Sequence, residues 1–295
     1  MSNSTAPPQS ITPDHVTLGE HTRREFRRTQ DAGGFAAAII PIGATEQHNE
    51  HLTLNLDIEL STYMAQQAAI RMLPRVVVAP GCPVGFSPYH MARPGTLTLR
   101  KSTLRAYLCD VVRSLRTHNI HTVLVVNGHA GNTDLLKRQL PQWQKRWNMT
   151  LDQVNYWQGM TENQRDDILQ GYRDLRDGKL DTVARQTALN HASEEETAVM
   201  LAAYPRRVRS IDLEDYDAAS LDYAQNLSPM VREYLEPFSK EGWPAAGPNP
   251  ENPRDRARQE NALLATPEKG RALINIHVQF LVDRLTEMMN HQSAR

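Results

Sequence analysis

Apolar positions fall along the chain in short blocks whose period changes. Phe35-Ala36-Ala37-Ala38-Ile39-Ile40-Pro41-Ile42 is a continuous apolar run closed by Gly43. A run of that length without polar alternation predicts a strand buried on both faces, as in a parallel sheet. From Asp57 to Met72 the period lengthens, with Ile58, Met64, Ala65, Ala68, Ala69 and Met72 at helical spacing. Val76-Val77-Val78-Ala79 is a second β-branched run, closed by Pro80 and Gly81. Ser102 is placed to cap a helix that carries Leu104, Leu108, Val111, Val112 and Leu115. Thr122–Val126 predicts a third strand, a helix with Leu135, Leu136 and Leu140 follows, and Leu151–Tyr156 predicts a fourth strand. Gly270–Met289 reads as a closing helix, apolar at Leu273, Ile276, Phe280, Leu281, Leu285 and Met288.

Strands alternating with helices predict an α/β fold with a largely parallel sheet. Such sheets bind ligands at the carboxyl ends of their strands. Polar motifs stand directly after Ile42, Ala79 and Val126, at those ends. Residues 1–20 read as a disordered tail and 21–290 as one domain. A Pro- and charge-rich surface excursion interrupts that domain at about 205–258.

Composition narrows the function classes. The chain has 295 residues, with 33 Lys+Arg against 34 Asp+Glu. That balance argues against a nucleic-acid binder working through bulk charge, and against a polybasic membrane anchor. No run approaches the roughly 18 apolar residues of a membrane span. Cys82 and Cys109 form no C-x-x-C pair, which suits a reducing compartment, and the cytoplasm is expected. The 11 His are the compositional feature that asks for an explanation.

Four segments carry chemistry-bearing residues. Glu46-Gln47-His48, with Asp57 further on, combines carboxylates and an imidazole after a buried strand, ligand types that hold Zn, Mn or Fe. The same residues also read as a solvated loop and a helix cap. Asn127-Gly128-His129-Ala130-Gly131-Asn132 is a glycine-permitted turn that puts His129 in a crevice, or an ordinary turn with a hydrogen-bonded His. In His191-Ala192-Ser193-Glu194-Glu195-Glu196-Thr197, Ser193 and Glu196 fit a capping box. His191 there is also placed to lend a proton beside a metal. Gly85-Phe86-Ser87-Pro88-Tyr89-His90 with Arg93-Pro94-Gly95-Thr96 is a shaped loop that can aim Ser87, His90 and Arg93 inward. His51 lies near the first motif. His15, His21, His118, His121, His277 and His291 sit in tails, helix ends or surface-like contexts and receive no role. Nucleophile-elbow, P-loop, dinucleotide-binding and H-E-x-x-H patterns do not occur.

In this order the segments resemble the creatininase (creatinine amidohydrolase) family. The matching residues are Pro41-Ile42-Gly43-Ala44-Thr45-Glu46-Gln47-His48 with Leu54-Asn55-Leu56-Asp57, and Gly85-Phe86-Ser87 with His90 and Pro94-Gly95-Thr96. They continue through Asn127-Gly128-His129 with Gly131-Asn132, His191-Ala192 with Glu196-Thr197, and Ala265-Thr266-Pro267-Glu268-Lys269-Gly270. The resemblance covers about residues 35–285. It implies a three-layer α/β/α sandwich with a metal site at the strand ends and hydrolysis of C–N bonds in small amides, lactams or cyclic amides. It further implies two divalent ions per subunit (Zn, Mn or Fe) and a homo-oligomer such as a hexamer. By motif match Glu46, His48, Asp57 and His129 are metal ligands, with Asp57 bridging. The creatininase pattern itself has a Glu completing the second metal site where this chain has Gly131; several relatives also carry a Gly there, so Glu196 is the expected replacement donor, the alternative being a weak or absent second ion. Arg93 stands where relatives carry an apolar residue and could pair with a substrate carboxylate. The family's substrate-ring aromatics find no clear match, so a substrate other than creatinine is expected.

The mechanism this implies uses metal-activated water, with His191 protonating the leaving nitrogen and Glu196 as ligand or base. A non-catalytic metal-binding scaffold, or a partner subunit of the same fold, is the competing class. A lactone or phosphoester hydrolase is a third reading, which would want more cationic groups around the crevice.

Overall fold

A computed structural model describes residues 12–91, 93–211, 213, 229–230, 233–234 and 254–293. The first apolar run becomes strand β1 (Ala37–Ile42), and all of its residues are buried. It pairs in parallel with β2 (Val76–Val78) on one side and β3 (Thr122–Asn127) on the other; β3 pairs in parallel with β4 (Thr150–Asn155). The four-stranded sheet thus has the order β2-β1-β3-β4.

The helices that frame the sheet are α1 (Arg23–Asp31), α2 (Leu56–Arg71), α3 (Lys101–Thr117), α4 (Thr133–Trp147), α5 (Glu162–Ile168), α6 (Gln170–Arg176), α7 (Val183–Thr187), α8 (Glu194–Ala203), α9 (Arg254–Ala262) and α10 (Pro267–Ser293). Strand alternation divides the core. Ala37 and Ile39, with Val76, Val78, Leu124 and Val126, pack against α2, α8 and α10 through Leu60, Met64, Met200, Leu281 and Leu285. Ala38, Ile40 and Ile42, with Val77, Val123 and Val125, pack against α3 and α4 through Leu104, Leu108, Leu136 and Trp143. Helices therefore cover both faces of the sheet, giving the three layers. Each large aliphatic side chain fully buried in them contributes about 1.5–3 kcal/mol.

The connectivity places the site. From β1 the chain passes through α2 to β2 on one side, then through α3 to β3 on the other side of β1. The winding reverses between β1 and β3, and a crevice opens beyond the carboxyl ends of strands at such a point. Ile42 and Asn127 are register partners, so the two loops that leave these strands start level with one another.

Several local expectations change. The Ser102 cap is not used: α3 begins at Lys101 after Arg100, with no side-chain cap bond. Residues 12–20 of the expected tail form two short 3-10 turns, Pro13–His15 and Leu18–Glu20. Between them Val16 is fully buried and Thr17 bridges to Val78. That part of the tail belongs to the domain's packing; residues 1–11 lie outside the described residues. Helix α1 was not anticipated, although Thr22 and Glu25 form a capping box at its start. Most of the 205–258 excursion lies outside the described residues, and its two ends are a 3-10 turn at Pro205–Arg207 and the start of α9.

His277 was expected in a surface-like context. It is fully buried in α10, with Glu195 Oε1 3.8 Å from its Nε2 and no hydrogen-bond partner on either ring nitrogen. Burial pulls its pKa down to about 4. An unfolded His titrates near 6.5. Between those values the unfolded chain binds a proton that the native state does not, so native stability falls as pH drops. The contribution is whole above about pH 6.5 and is lost progressively toward pH 4, a span worth roughly 3 kcal/mol. Thermal unfolding of native protein and His277→Leu from pH 7 to 4.5 should show a shallower fall of Tm in the variant; equal slopes would exclude this residue as a source.

Candidate metal-binding active site

Two glycines let the crevice close on helix α2. A Cβ on Gly43 would lie 2.3 Å from the backbone N of Ile58, and one on Gly128 would lie 2.1 Å from the Asp57 carbonyl O. The loops after β1 and β3 therefore grip the first turn of α2 from two sides, and Asp57 is delivered between them, buried. Asparagines tie the loops together. Asn132 donates to the Gly43 carbonyl (3.0 Å) and accepts from the Phe86 N–H (2.9 Å). Asn127 accepts from the His129 N–H (3.1 Å) and donates to the His129 carbonyl (2.6 Å). The Asn-Gly-His-x-Gly-Asn motif is thus a clamp joining three strand-end loops, with one imidazole at its centre.

The carboxylates and imidazoles of three of these segments converge. His48 Nε2 lies 3.2 Å from Asp57 Oδ1 and 3.9 Å from Glu196 Oε2. His129 Nδ1 lies 3.2 Å from Asp57 Oδ2 and 3.3 Å from Glu46 Oε1. Glu196 Oε2 also accepts from the Ala192 N–H (2.6 Å), and Ser193 Oγ donates to the Leu189 carbonyl (2.7 Å). The expected capping box is therefore absent, and Glu196 is turned toward the cluster. His90 Nε2 is 3.7 Å from Glu46 Oε1. The His191 ring stacks on His90, with centroids 4.9 Å apart, and its Nε2 lies 3.0 Å from the Gln47 carbonyl O.

Hydrogen bonds fix the tautomers. A main-chain carbonyl only accepts, so His48 donates from Nδ1 to Glu46 (3.1 Å) and His129 donates from Nε2 to Phe86 (3.0 Å). The lone pairs on His48 Nε2 and His129 Nδ1 then face carboxylate oxygens. Lone pair against lone pair is repulsive unless a proton or a cation lies between. His48 Nε2 and Asp57 Oδ2 are buried without a hydrogen-bond partner. The donor set and its orphaned atoms fit a divalent cation.

The electrostatics of the protein without metal describe the same frustration. Burial disfavours the charged form of His48, but Asp57, Glu196 and Glu46 outweigh it and raise its pKa to about 9. His129 is opposed by burial and raised well above its ordinary value by Glu46 and Asp57. Burial opposes ionisation of Glu46, and the charges of His129, His90 and His48 hold it well below the usual carboxylate range. Glu196 is pushed up to about 7 by burial and by Asp57, against the pull of His48. Burial, with the neighbouring charge of His48, drives His191 well below its ordinary value; burial brings His90 to about 4, and Arg258 adds to both effects.

A cavity of about 350 Å³ opens over this cluster, within the range for small-molecule sites. Of the anticipated residues, Glu46, Asp57, His90, His129, His191 and Glu196 line it. Ser87 does not. It is fully buried behind Glu46 and donates to its carboxylate, which places it as a brace on Glu46. Arg93 is buried and is also absent from the lining. His51 is packed behind the cluster, 2.9 Å from Thr197 Oγ1. Residues not anticipated include Gln47, whose Nε2 lies 3.0 Å from His90 Nδ1, and the lining side chains Tyr89, Trp157, Tyr172, Glu195 and Arg258.

Tyr89 explains the glycine at 131. Its hydroxyl lies 2.8 Å from His129 Nε2, and its ring stacks on His129. A Cβ on residue 131 would come within 2.3 Å of that hydroxyl and 2.4 Å of the Phe86 carbonyl O. Any side chain at 131 competes with Tyr89 for this space. Gly131→Ala should cost about 1–3 kcal/mol through overpacking and should weaken metal retention by shifting His129. Adding Tyr89→Phe should relieve only part of the loss, because the Phe86 carbonyl is main chain. Denaturant unfolding and metal analysis of the single and double variants measure this; a full rescue would contradict it.

A family model described as creatinine amidohydrolase matches residues 19–285. The chain is 26% identical over 284 residues to the creatinine amidohydrolase of Pseudomonas putida, covering 92% of this chain and 96% of that protein. Over 132 residues it is 33% identical to the mycofactocin precursor peptide peptidase of Mycobacterium ulcerans (strain Agy99), 42% of this chain and 50% of that protein. A solved structure of a creatininase mutant of Zn-Zn type matches with a TM-score of 0.62 at 22% identity, covering 92% of this chain and 97% of that one.

Proposed function

The chain belongs to the creatininase family, and from that premise we propose that it is a metal-dependent amidohydrolase. Its substrate on this reading is a small amide, lactam or cyclic amide other than creatinine, whose C–N bond is cleaved by water. The observation that carries the reading is the convergence of two tautomer-fixed imidazole lone pairs on buried carboxylates at the floor of a small-molecule cavity. Glu46, His48, Asp57, His129 and Glu196 are the proposed ligands, with Glu196 supplying the carboxylate that Gly131 cannot. Five donors, three of them anionic, suit two divalent ions such as Zn or Mn. When bound, divalent ions in such a set supply Lewis-acid polarisation and favour hydroxide near neutral pH.

The chain's own residues handle the protons. His191 Nε2 is committed to the Gln47 carbonyl, so Nδ1 is the position that exchanges a proton. Burial keeps this imidazole neutral at rest. His191 therefore accepts a proton from the attacking water and passes it to the leaving nitrogen, a role worth about 10²–10⁴ in rate. Gln47 and His90 hold its orientation, the first by accepting from Nε2 at its main-chain carbonyl and the second by stacking.

Elemental analysis of purified protein tests the ligands: Glu46→Gln and His129→Ala should lose bound metal, and native content in both would defeat the assignment. His191→Ala should retain its metal while turnover falls about 10²-fold or more; full activity would remove it from the mechanism. An amide and lactam panel, run with Zn or Mn restored to chelated protein, should show metal-dependent hydrolysis. Metal binding with no turnover on any member would favour the non-catalytic scaffold.

A further inference from the structure

Resting on the assignment of Glu196 as a ligand, we propose that Lys269 is a positioning residue. Through Glu194 it fixes the first turn of α8, and so the place of Glu196.

The start of α8 lacks a side-chain cap, although Ser193 stands at the N-cap. Ala192, one residue earlier, is fully buried with φ at 48°. A Cβ makes that left-handed conformation unfavourable, and such a residue persists only where its surroundings hold it. Its N–H donates to Glu196 Oε2 (2.6 Å), which ties the strained residue to the ligand itself.

Glu194 supplies the hold. Its buried carboxylate accepts from the N–H groups of Gln170 (3.0 Å) and Gly171 (2.8 Å) at the start of α6, and from Lys269 Nζ in α10. Its own N–H donates to Asn261 Oδ1 in α9 (2.8 Å). Lys269 is the cation in this set, and a buried carboxylate depends on such a partner. Lys269 Nζ also donates to the Leu264 carbonyl (2.7 Å), which fixes the ammonium between α9 and α10. Gly270 adds a second point of grip. A Cβ there would lie 1.9 Å from the Ala198 carbonyl O, so α10 meets the backbone of α8 one turn beyond Glu194. The motif Ala265–Gly270, which the chemistry of the site leaves without a role, is thus what seats α8. Neither Glu194 nor Lys269 lines the cavity, so their effect on it passes through the helix. Two residues on from Glu194 is a rotation of roughly 200°, which turns Glu196 from the gripped face to the cavity face.

Two measurements test this. In metal-free protein, hydrogen exchange reads the grip without the ion. The Thr197 N–H donates to the Ser193 carbonyl in the first turn of α8. Lys269→Met should speed its exchange at least about tenfold relative to the N–H groups of β1, and Lys269→Arg should keep most of the native protection. Equal acceleration in α8 and β1 would make Lys269 a residue of general stability and overturn the proposal. In zinc calorimetry, Lys269→Met and Glu196→Gln should each weaken binding about tenfold or more, and the double variant should bind no more weakly than Glu196→Gln alone. Losses that multiply, or native affinity in Lys269→Met, would also overturn it. Native affinity in Glu196→Gln would instead sink the ligand assignment beneath it. Should Lys269→Met fail to fold, Glu194→Gln takes its place in both measurements, since it keeps the shape and an acceptor and removes the ion pair.

Discussion

Three carboxylates and two imidazoles share one largely buried space. Buried like charges cannot all ionise without compensation, because the interior screens them poorly. In the protein without metal the frustration is divided among protons: His48 and His129 are pulled toward the charged form and Glu196 toward the neutral one. A divalent cation resolves it in one step. The glycines at 43 and 128, the asparagine clamp and the brace from Ser87 all hold donors where they would otherwise repel one another. This is why so much of the crevice wall is polar and yet buried.

The layered α/β fold was legible because its signals are local. Short apolar runs closed by Gly or Pro marked three of the four strands, the more polar β4 was read from its place after α4, and helical spacing marked α2, α3, α4 and α10. The topology also put the polar motifs where a doubly wound sheet binds ligands. Glu46, His48, Asp57, His129 and Glu196 could be nominated because each sits in a short motif at a strand or helix end. The cavity wall was less accessible. Trp157, Tyr172, Glu195 and Arg258 come from separate segments that meet only through packing, and no spacing along the chain announces such a meeting. His277 misled for a related reason: on a long helix, a polar residue in the buried stripe reads like one on the solvent face. Its burial shows only once α10 is seated against α8.

Tyr89 and Gly131 show how two strand-end loops share one small space. The absence of a side chain at Gly131 leaves room beside His129. A tyrosine from a different loop occupies the space, touches the same histidine and is pushed toward a higher pKa by burial and by Glu46 and Asp57. The first turn of α8 carries Glu196 to within 3.9 Å of His48 Nε2.

The grip of Gly43 and Gly128 on α2 also bears on how the molecule assembles. Glu46 and Glu196 are about 150 residues apart in the chain, and contacts of such long sequence separation form slowly. No subset of the sheet contains the whole cluster: β1, α2, β3 and α8 must all be docked before five donors face one another. Capture of an ion by this cluster would thereby come late in folding, after the sheet has formed, and a held ion would act as a clasp on elements from both halves of the chain. Local fraying of α8 would then be felt first as release of the ion, well before the parallel sheet comes apart.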